Sequence, residues 1–368
     1  MKKTLPIVAA LVSTLLVTGC FDEDKKPEPK PVRLRLKQLM EVPGVAYSGP
    51  LGLTLSDDGT LIATGLGDVL TKRNKSGTIH TAAPRSSDLV EKTIASGAGE
   101  NYYGFSSVAY SNSRNSLFVC SVPLLSFGTV APTIVEFVPD NNGNYVWSGA
   151  MNLSNTRTGQ VCKGMTIDNN NLLVVNMVAI DGTYPVLYRL DLSNLINPFA
   201  LPAAMPVFLR YADLGYTPSE MLAESVVDIS PYVPNTPRAA GSFHVFLLDR
   251  ARNSIEEVAF DDPLGTTRIE RASFDKDIIK YPLSFISIDH GKFIFSGSAH
   301  GRGPAALYEV QYDAAGASYQ YLGLAPSQVS SFVYGESRSG SGESLYAALA
   351  SADNQGKFHV AEYSYTGN

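Results

Sequence analysis

The sequence has three cysteines and five histidines among 368 residues, and this scarcity narrows the possible functions. No C-x-x-C, H-E-x-x-H or G-x-S-x-G motif occurs, so the chain lacks these metal-binding and hydrolase signatures. Lysine and arginine total 29 against 35 acidic residues, with no basic stripe, which argues against a nucleic-acid partner. Beyond the first 20 residues, no apolar run is long enough to cross a membrane.

A charged and then apolar segment opens the sequence. Lys2 and Lys3 precede an apolar run from Leu5 to Val17, which is shorter than the roughly 20 residues a membrane-spanning helix needs. The run closes with Val17-Thr18-Gly19-Cys20, which resembles the lipobox of bacterial lipoproteins. The resemblance implies a signal peptide over residues 1–19, cut before Cys20, whose thiol and amine then carry acyl chains such as palmitate. The alternative is an ordinary signal peptide with an incidental cysteine.

Residues 20–32 are predicted to be a lipidated cysteine followed by a flexible tether. The stretch FDEDKKPEPKPV after Cys20 mixes charge with proline and offers almost nothing to bury, so it should stay extended and solvated. Several acyl chains give stable anchoring where a single chain does not. By resemblance to the lipoprotein sorting pattern, Phe21 in place of aspartate favours the outer membrane, facing either the periplasm or the cell surface.

Strand–turn–strand units recur along the remaining chain. Apolar segments enter turns rich in Asp, Asn, Ser or Gly and leave them as second apolar segments, which is typical of β-hairpins. The clearest turns are SDDG at 56–59, SNSRN at 111–115, DNN at 168–170 and DHG at 289–291. Third strands follow in five units and alternate polar with apolar residues, as in Tyr188-Arg189-Leu190-Asp191-Leu192. This pattern predicts an all-β fold.

Six such units argue for a six-bladed β-propeller over residues 33–368. The equivalent positions in the first strands are Leu53, Val108, Met165, Val226, Phe285 and Phe332. The spacings between these positions are irregular and mostly in the fifties. The last unit lacks a fourth strand, while residues 33–41 supply an unassigned one before the first unit. We therefore expect the N-terminal strand to pair with the last blade and close the ring. The alternative is two β-sandwiches in tandem.

The propeller arrangement predicts which residues share a binding face. Loops leading into first strands and loops following second strands open on the same face, around the channel. The candidates there are Tyr102, Tyr103, Lys163, Asn176, Glu224, Asp249, Arg250, His300 and Arg302. Cys120 and Cys162 map to the same face in neighbouring blades, and a disulfide is plausible in a compartment that permits one. Two buried thiols are the alternative.

The blade pattern resembles the six-bladed superfamily that contains NHL-repeat, TolB-like, gluconolactonase-like and strictosidine-synthase-like proteins. In the calcium lactonases of that group, a Glu, an Asn and an Asp from different blades hold the metal. The matching residues here are Glu224, Asn176 and Asp249, and Ca²⁺ is the cofactor this alternative implies. The chain departs from that pattern because Tyr47-Ser48-Gly49-Pro50-Leu51 opens the first blade without a carboxylate.

Two functional hypotheses follow. The first is a non-catalytic binding or scaffold propeller without a cofactor, anchored in the membrane by its acyl chains, with a protein or polysaccharide partner on the channel face. The second is a calcium-dependent lactonase or esterase that uses Glu224, Asn176 and Asp249.

Overall fold

The computed structural model of the chain consists of β-strands throughout its described part. The described residues are 34–44, 49–67, 77–95, 102–122, 131–153, 160–168, 171–179, 186–193, 195, 201–205, 207–210, 226–231, 243–250, 252–261, 265–275, 279, 281–289, 291–297, 304–313 and 316–366. They all belong to one compact unit, Arg33–Asn368. Within these residues, no helix has the length and apolar character needed to cross a membrane. The signal segment and Cys20 lie outside them.

Six sheets make up the unit, and each contains a set of four strands in which every strand pairs antiparallel with the next. Blade 1 has β2 (Gly52–Leu55), β3 (Leu61–Gly65), β4 (Thr78–Ala82) and β5 (Val90–Glu91). Blade 2 has β7 (Gly104–Ser111), β8 (Ser116–Val122), β9 (Thr133–Pro139) and β10 (Tyr145–Leu153). Blade 3 has β11 (Gln160–Ile167), β12 (Leu172–Ala179), β13 (Val186–Asp191) and β15 (Val207–Arg210).

The second half of the chain repeats the same order. Blade 4 has β16 (Val226–Pro231), β17 (Phe243–Asp249), β18 (Ser254–Asp261) and β19 (Gly265–Ser273). Blade 5 has β20 (Pro282–Asp289), β21 (Lys292–Gly297), β22 (Ala305–Asp313) and β23 (Gly316–Ala325). Blade 6 has β24 (Val329–Glu336), β25 (Glu343–Leu349), β26 (Phe358–Tyr365) and, as its fourth strand, β1 (Leu34–Val42).

The first strands of the blades contact one another in a closed cycle. Strand β2 touches β7, and the contacts continue through β11, β16, β20 and β24 back to β2. The six-bladed propeller predicted from the repeats is therefore confirmed, and tandem sandwiches are excluded.

Strand β1 closes the ring as predicted. It pairs antiparallel with β26 from Leu34↔Tyr365 to Val42↔Phe358. Met40 and Val42 are buried where blade 6 packs on blade 1, while Leu34 is buried against blade 5. Leu39, on the same strand, remains 43% exposed.

The hydrophobic core lies between blades, because every sheet is covered on both faces by its neighbours. Buried side chains of adjacent blades form separate clusters, one of which places Phe118 and Ile134 of blade 2 against Leu173 and Val175 of blade 3. Another stacks Phe295 on Tyr308 and Phe274, with centroid distances of 5.2 and 4.7 Å. The near-continuous apolar sequence of the second strands follows from this double burial.

Two short strands that the repeat pattern did not predict cover the outer edge of blade 2. Strands β6 (Ile94–Ala95) and β14 (Ala204–Met205) both pair parallel with β10, at Tyr145–Val146 and Asn152–Leu153 respectively. They come from the segments that connect blade 1 to blade 2 and the third to the fourth strand of blade 3. Blade 2 is thereby joined by backbone hydrogen bonds to both neighbours, and its outer edge is not open.

A β-bulge recurs near the start of five first strands. Each has a one-residue register shift, between Phe105 and Ser107 in blade 2 and at equivalent places in blades 3 to 6. The extra residue lets positions three apart share one face of the strand. For this reason the equivalence of Val226 with Leu53 is wrong: the residue at that level is Ile229, which pairs with Leu247 as Leu53 pairs with Ala63.

Buried glutamates occupy one shared register position in the third strands of four blades. They are Glu136, Glu257, Glu309 and Glu362, which pair with Phe118, Phe246, Ile294 and Tyr346 of the second strands. Blades 1 and 3 have Thr81 and Arg189 there. Since a buried carboxylate is stable only when it is hydrogen-bonded or paired, each glutamate must be provided with partners by the fold.

Partners of three of these glutamates come from one position of the second strand. The pairs are Ser116–Glu136 at 2.7 Å, His244–Glu257 at 2.6 Å and Ser344–Glu362 at 2.9 Å. Arg114 adds a bidentate ion pair to Glu136, and Ser337 adds a hydrogen bond to Glu362. The carboxylates thus fix the hairpins between first and second strands in blades 2 and 6.

Truncating one side chain on each face of β1 distinguishes the contribution of side-chain burial from that of strand pairing. We expect Met40→Ala to lower the free energy of unfolding by about 2–5 kcal/mol, because it leaves a cavity between blades 6 and 1. Leu39→Ala, on the exposed face, should change it by less than about 0.5 kcal/mol. Urea denaturation followed by tryptophan fluorescence or circular dichroism measures both values. Equal losses would contradict the closure described here.

Glu362 should make stability depend on pH. Burial acts to raise its pKa, but hydrogen bonds from Ser344, Ser337 and Gln38 outweigh burial and hold the pKa below its usual value. The carboxylate therefore stabilises the fold above the unfolded-state pKa of about 4.3, and this contribution is lost as pH falls through the lower folded-state value.

Glu362→Gln tests this contribution directly. The substitution should cost about 1–3 kcal/mol at pH 7, and the difference from wild type should shrink towards zero as pH falls below 4. The measurement is denaturation at a series of pH values, with Glu336→Gln, an exposed carboxylate, as the control. A cost that is independent of pH would show that the charge of Glu362 is not responsible.

Candidate functional site

The first strands of the six blades surround a cavity of about 300 Å³ on the axis of the ring. Small and hydroxyl-bearing residues form much of its wall, including Ser106, Ser107, Ser230, Ser330 and Ser331. The two charged side chains among its described lining residues are Lys163 and Asp228. The channel is therefore narrow and polar, with one exposed ammonium group.

Ser106, Ser107 and Lys163 form what we call the serine–lysine patch. Ser106 and Lys163 hold the same register position, at the bulges of β7 and β11, so they lie at one level in adjacent blades. The Ser106 and Ser107 hydroxyls are buried and have no hydrogen-bond partner among the described residues. The Lys163 side chain is exposed. An unpaired buried hydroxyl costs about 1–3 kcal/mol, which a bound polar group would recover.

A disulfide joins the two blades behind this patch. Cys120 and Cys162 are bonded, with 6.2 Å between their Cα atoms, and both are almost fully buried. The predicted disulfide is therefore present. Cys120 pairs with Ser107 across the strands, and Cys162 directly precedes Lys163. The bond thus fixes the spacing between the serine and lysine sides of the patch.

The other described candidates of the binding face lie away from the cavity. Tyr102 is 3% exposed and packs on Phe105 and Phe137, each at a centroid distance of 5.5 Å. The Tyr103 backbone N–H donates to the Ser121 hydroxyl at 2.6 Å. Most of the Tyr102 ring is therefore engaged in the core between blades 1 and 2.

Arg250 is half-buried and joins two blades. Its Nε lies 3.4 Å from the carbonyl oxygen of Pro282, at the start of the first strand of blade 5. Glu224, His300 and Arg302 lie outside the described residues. Of the described candidates, Lys163 is the one that borders the channel cavity.

Two members of the predicted calcium set are buried in second strands. Asn176 pairs with Gly164, Asp249 pairs with Val226, and neither side chain is exposed. The Asp249 carboxylate accepts a hydrogen bond from the Arg252 backbone at 3.0 Å and lies 4.0 Å from its guanidinium. The described residues contain no group of three or more His, Cys, Asp or Glu side chains that could hold a metal ion. Because Glu224 is outside them, the calcium set stays a prediction.

Polar side chains of the first strands also connect neighbouring blades. The Asp228 carboxylate accepts the Phe285 N–H at 3.0 Å, and the Ser331 hydroxyl accepts the Leu53 N–H at 3.2 Å. Asp228, Ser331 and Ser107 share one register position. Asp228 is therefore committed to holding blades 4 and 5 together, while Lys163 remains available to a ligand.

Sequence reasoning missed Ser106 and Ser107, although a signal for them exists. The bulge places two residues between apolar positions three apart, as in Phe105-Ser-Ser-Val108, Cys162-Lys-Gly-Met165 and Val329-Ser-Ser-Phe332. Alignment of the units on this spacing brings the channel-lining pairs into register.

Comparisons with known proteins identify the fold but no family. No protein-family model matches the sequence, and a comparison with curated proteins finds no match. Among solved structures, the chain is similar to the calcium-binding protein regucalcin of Agrobacterium tumefaciens strain C58, with a TM-score of 0.51, 10% identity, and coverage of 90% of this chain and 94% of that one. It is also similar to the WD40 repeats of RRP9, with a TM-score of 0.51, 8% identity, and coverage of 91% and 98%. These likenesses support a β-propeller and nothing more specific.

Calcium binding at the predicted set has a direct test. We expect a flat calorimetric titration of the purified full chain with calcium, because the Asp249 carboxylate is already engaged by Arg252 and neither Asn176 nor Asp249 borders the cavity. A heat of binding that disappears in both Asn176→Leu and Asp249→Asn would contradict this expectation and favour the lactonase hypothesis.

Proposed function

We propose that the chain is a lipid-anchored β-propeller of the cell envelope that serves as a binding or scaffold module, and that its partner, a protein or glycan, docks over the channel. The observation that carries the proposal is the serine–lysine patch. An exposed ammonium and two buried hydroxyls without described partners lie at two successive positions of the channel wall in adjacent blades, which a disulfide joins. Such preformed, unsatisfied polar groups are typical of ligand sites.

The chemistry of the patch favours a protein segment over a glycan. Lys163 supplies a point charge for a carboxylate, and the serine hydroxyls can donate to carbonyl or carboxylate oxygens. A cavity of about 300 Å³ holds a side chain or a short extended segment, not a folded domain. We infer that the partner presents an acidic, extended segment to the channel, while the rim of the propeller contacts the rest of its surface.

The anchoring part of the proposal comes from residues outside the described structure. The apolar run ending in Val17-Thr18-Gly19-Cys20, followed by a solvated tether to residue 32, supports acylation at Cys20. The tether spans a dozen residues, so the propeller would remain within a few nanometres of the membrane. Phe21, in place of Asp directly after Cys20, supports the outer membrane as its location.

Zero-length cross-linking tests the partner and the anchor together. A carbodiimide joins an amine only to a carboxylate in contact with it, so treated envelopes should yield a peptide containing Lys163 joined to an acidic residue of another protein. Lys163→Glu should abolish this product, whereas Arg35→Glu, the same charge change at an exposed position of β1, should retain it. Cys20→Ser should move the chain from the membrane to the soluble fraction.

Two results would overturn the proposal. A Lys163 peptide that stays unmodified while exposed Lys357 reacts would show that no protein carboxylate contacts Lys163. Polysaccharide released from the purified chain would then indicate a glycan partner. Mass spectrometry that finds residue 20 without acyl chains would remove the anchor.

A further inference from the structure

A second and larger cavity lies between blades 1 and 2, at the end of the ring opposite the serine–lysine patch. Strand β7 begins beside the patch and ends at Ser111, and the hairpin that follows it borders this cavity. The volume is about 470 Å³. Its wall combines the β2–β3, β7–β8 and β9–β10 hairpins with Thr81 and Lys92. We call it the interblade cavity; no step of the proposed function uses it.

Tyr145 contributes to the wall of the interblade cavity a hydroxyl that has no described hydrogen-bond partner. The residue is 5% exposed, and its ring belongs to the core between blades 1 and 2. Its hydroxyl borders the cavity and forms no hydrogen bond with any described residue. Burial, and to a lesser degree Tyr110 and Asp58, raise the pKa of Tyr145, so the group is a neutral donor and acceptor.

Further side chains of the wall have unused hydrogen-bonding capacity. The Asp57 carboxylate, the Asn112 amide and the half-buried Lys92 ammonium make no hydrogen bond or ion pair with described residues. Asp58 uses its Oδ1 atom to accept from Ser56 and from the Thr60 backbone. Asp57, Asp58 and Asn112 are exposed, so donors and acceptors line a cleft that is open to solvent on one side and closed by Tyr145 on the other.

We propose that the interblade cavity binds a small saccharide, either a free mono- or disaccharide or the terminal unit of a glycan. A ring bearing hydroxyls can both donate to Asp57 and Asp58 and accept from Lys92, Asn112 and Tyr145. Each such contact replaces a hydrogen bond to water, and the several contacts together fix the orientation of the ring. The volume exceeds what a single ion fills, and the Lys92 ammonium opposes a metal cation in the same space.

Tyr145→Phe is the most informative variant. It removes one oxygen that forms no hydrogen bond with a described residue, so the fold should be as stable as wild type, while saccharide affinity should fall roughly fivefold to tenfold for one lost hydrogen bond. Asp57→Asn and Lys92→Met should weaken binding similarly. Asp88→Asn, an exposed carboxylate that does not border the cavity, is the matched control and should bind like wild type.

The probes are glucose, galactose, mannose, N-acetylglucosamine, glucosamine, maltose and cellobiose. Each is titrated into the purified full chain by calorimetry and saturation-transfer NMR, with denaturation of every variant as the folding check. Binding of the single sugars supports a free ligand, and binding of the disaccharides through one terminal unit supports a glycan end. The same titrations with Lys163→Glu distinguish binding in the interblade cavity from binding in the channel. This variant should leave saccharide binding in the interblade cavity unchanged.

Several outcomes would overturn the inference. Absence of binding by every probe would mean that water alone fills the cavity. Equal affinity in Tyr145→Phe, Asp57→Asn and Lys92→Met would place the sugar elsewhere on the propeller. A saccharide response lost only in Lys163→Glu would move the site to the channel and leave the proposed function standing without this one.

Discussion

The backbone pairing of β1 with β26 is the constraint on which the rest of the structure depends. A ring of sheets built from one chain needs its two ends to meet, and here the meeting place lies inside blade 6. Gln38 Nε2 donates to Glu362 across 324 residues of sequence. Without the fourth strand, β26 would expose an unpaired edge, and the core between blades 6 and 1 would lose Met40 and Val42. Arg338 strengthens the same junction by donating to the backbone oxygens of Gly59 and Ala83 in blade 1.

Blade number and closure could be predicted from the sequence because each depends on local patterns. Hairpins such as Ser56-Asp57-Asp58-Gly59 show their turn residues directly, and the leftover strand at 33–41 had one vacant place to fill. The disulfide was also accessible, since Cys120 ends a second strand and Cys162 precedes the bulge of the next blade. The register of Val226 could not be predicted. The bulge makes Val226 and Ile229 look equivalent in the apolar pattern, and only the strand pairing distinguishes them.

The candidate site was less predictable, for a physical reason. Tyr102 and Lys163 look alike from sequence, as residues at the start of first strands, but Tyr102 fills the space between blades while Lys163 sits at a bulge and turns to the channel. The bulge spacing marks the channel-lining pair that includes Lys163, but the direction of the Tyr102 side chain, which lies outside that spacing, depends on packing between blades. The interblade cavity is similar: Asp57, Lys92 and Tyr145 come from three separate segments, and only the packing of blade 1 on blade 2 brings them together.

One register position links the stability of the ring to its capacity for binding. In blades 4 and 6 this position holds Asp228 and Ser331, whose side chains accept a backbone N–H of the next blade. In blade 1 it holds Gly52, where a Cβ atom would lie 3.1 Å from the Val108 nitrogen, so the same approach occurs without a side chain. Ser107 in blade 2 has the hydroxyl but no such bond with a described residue, and at this level the Cys120–Cys162 disulfide joins blades 2 and 3. Because a covalent bond already joins these two blades, their junction does not depend on the Ser107 hydroxyl, and the two unpaired hydroxyls of the described channel wall, those of Ser106 and Ser107, lie beside it.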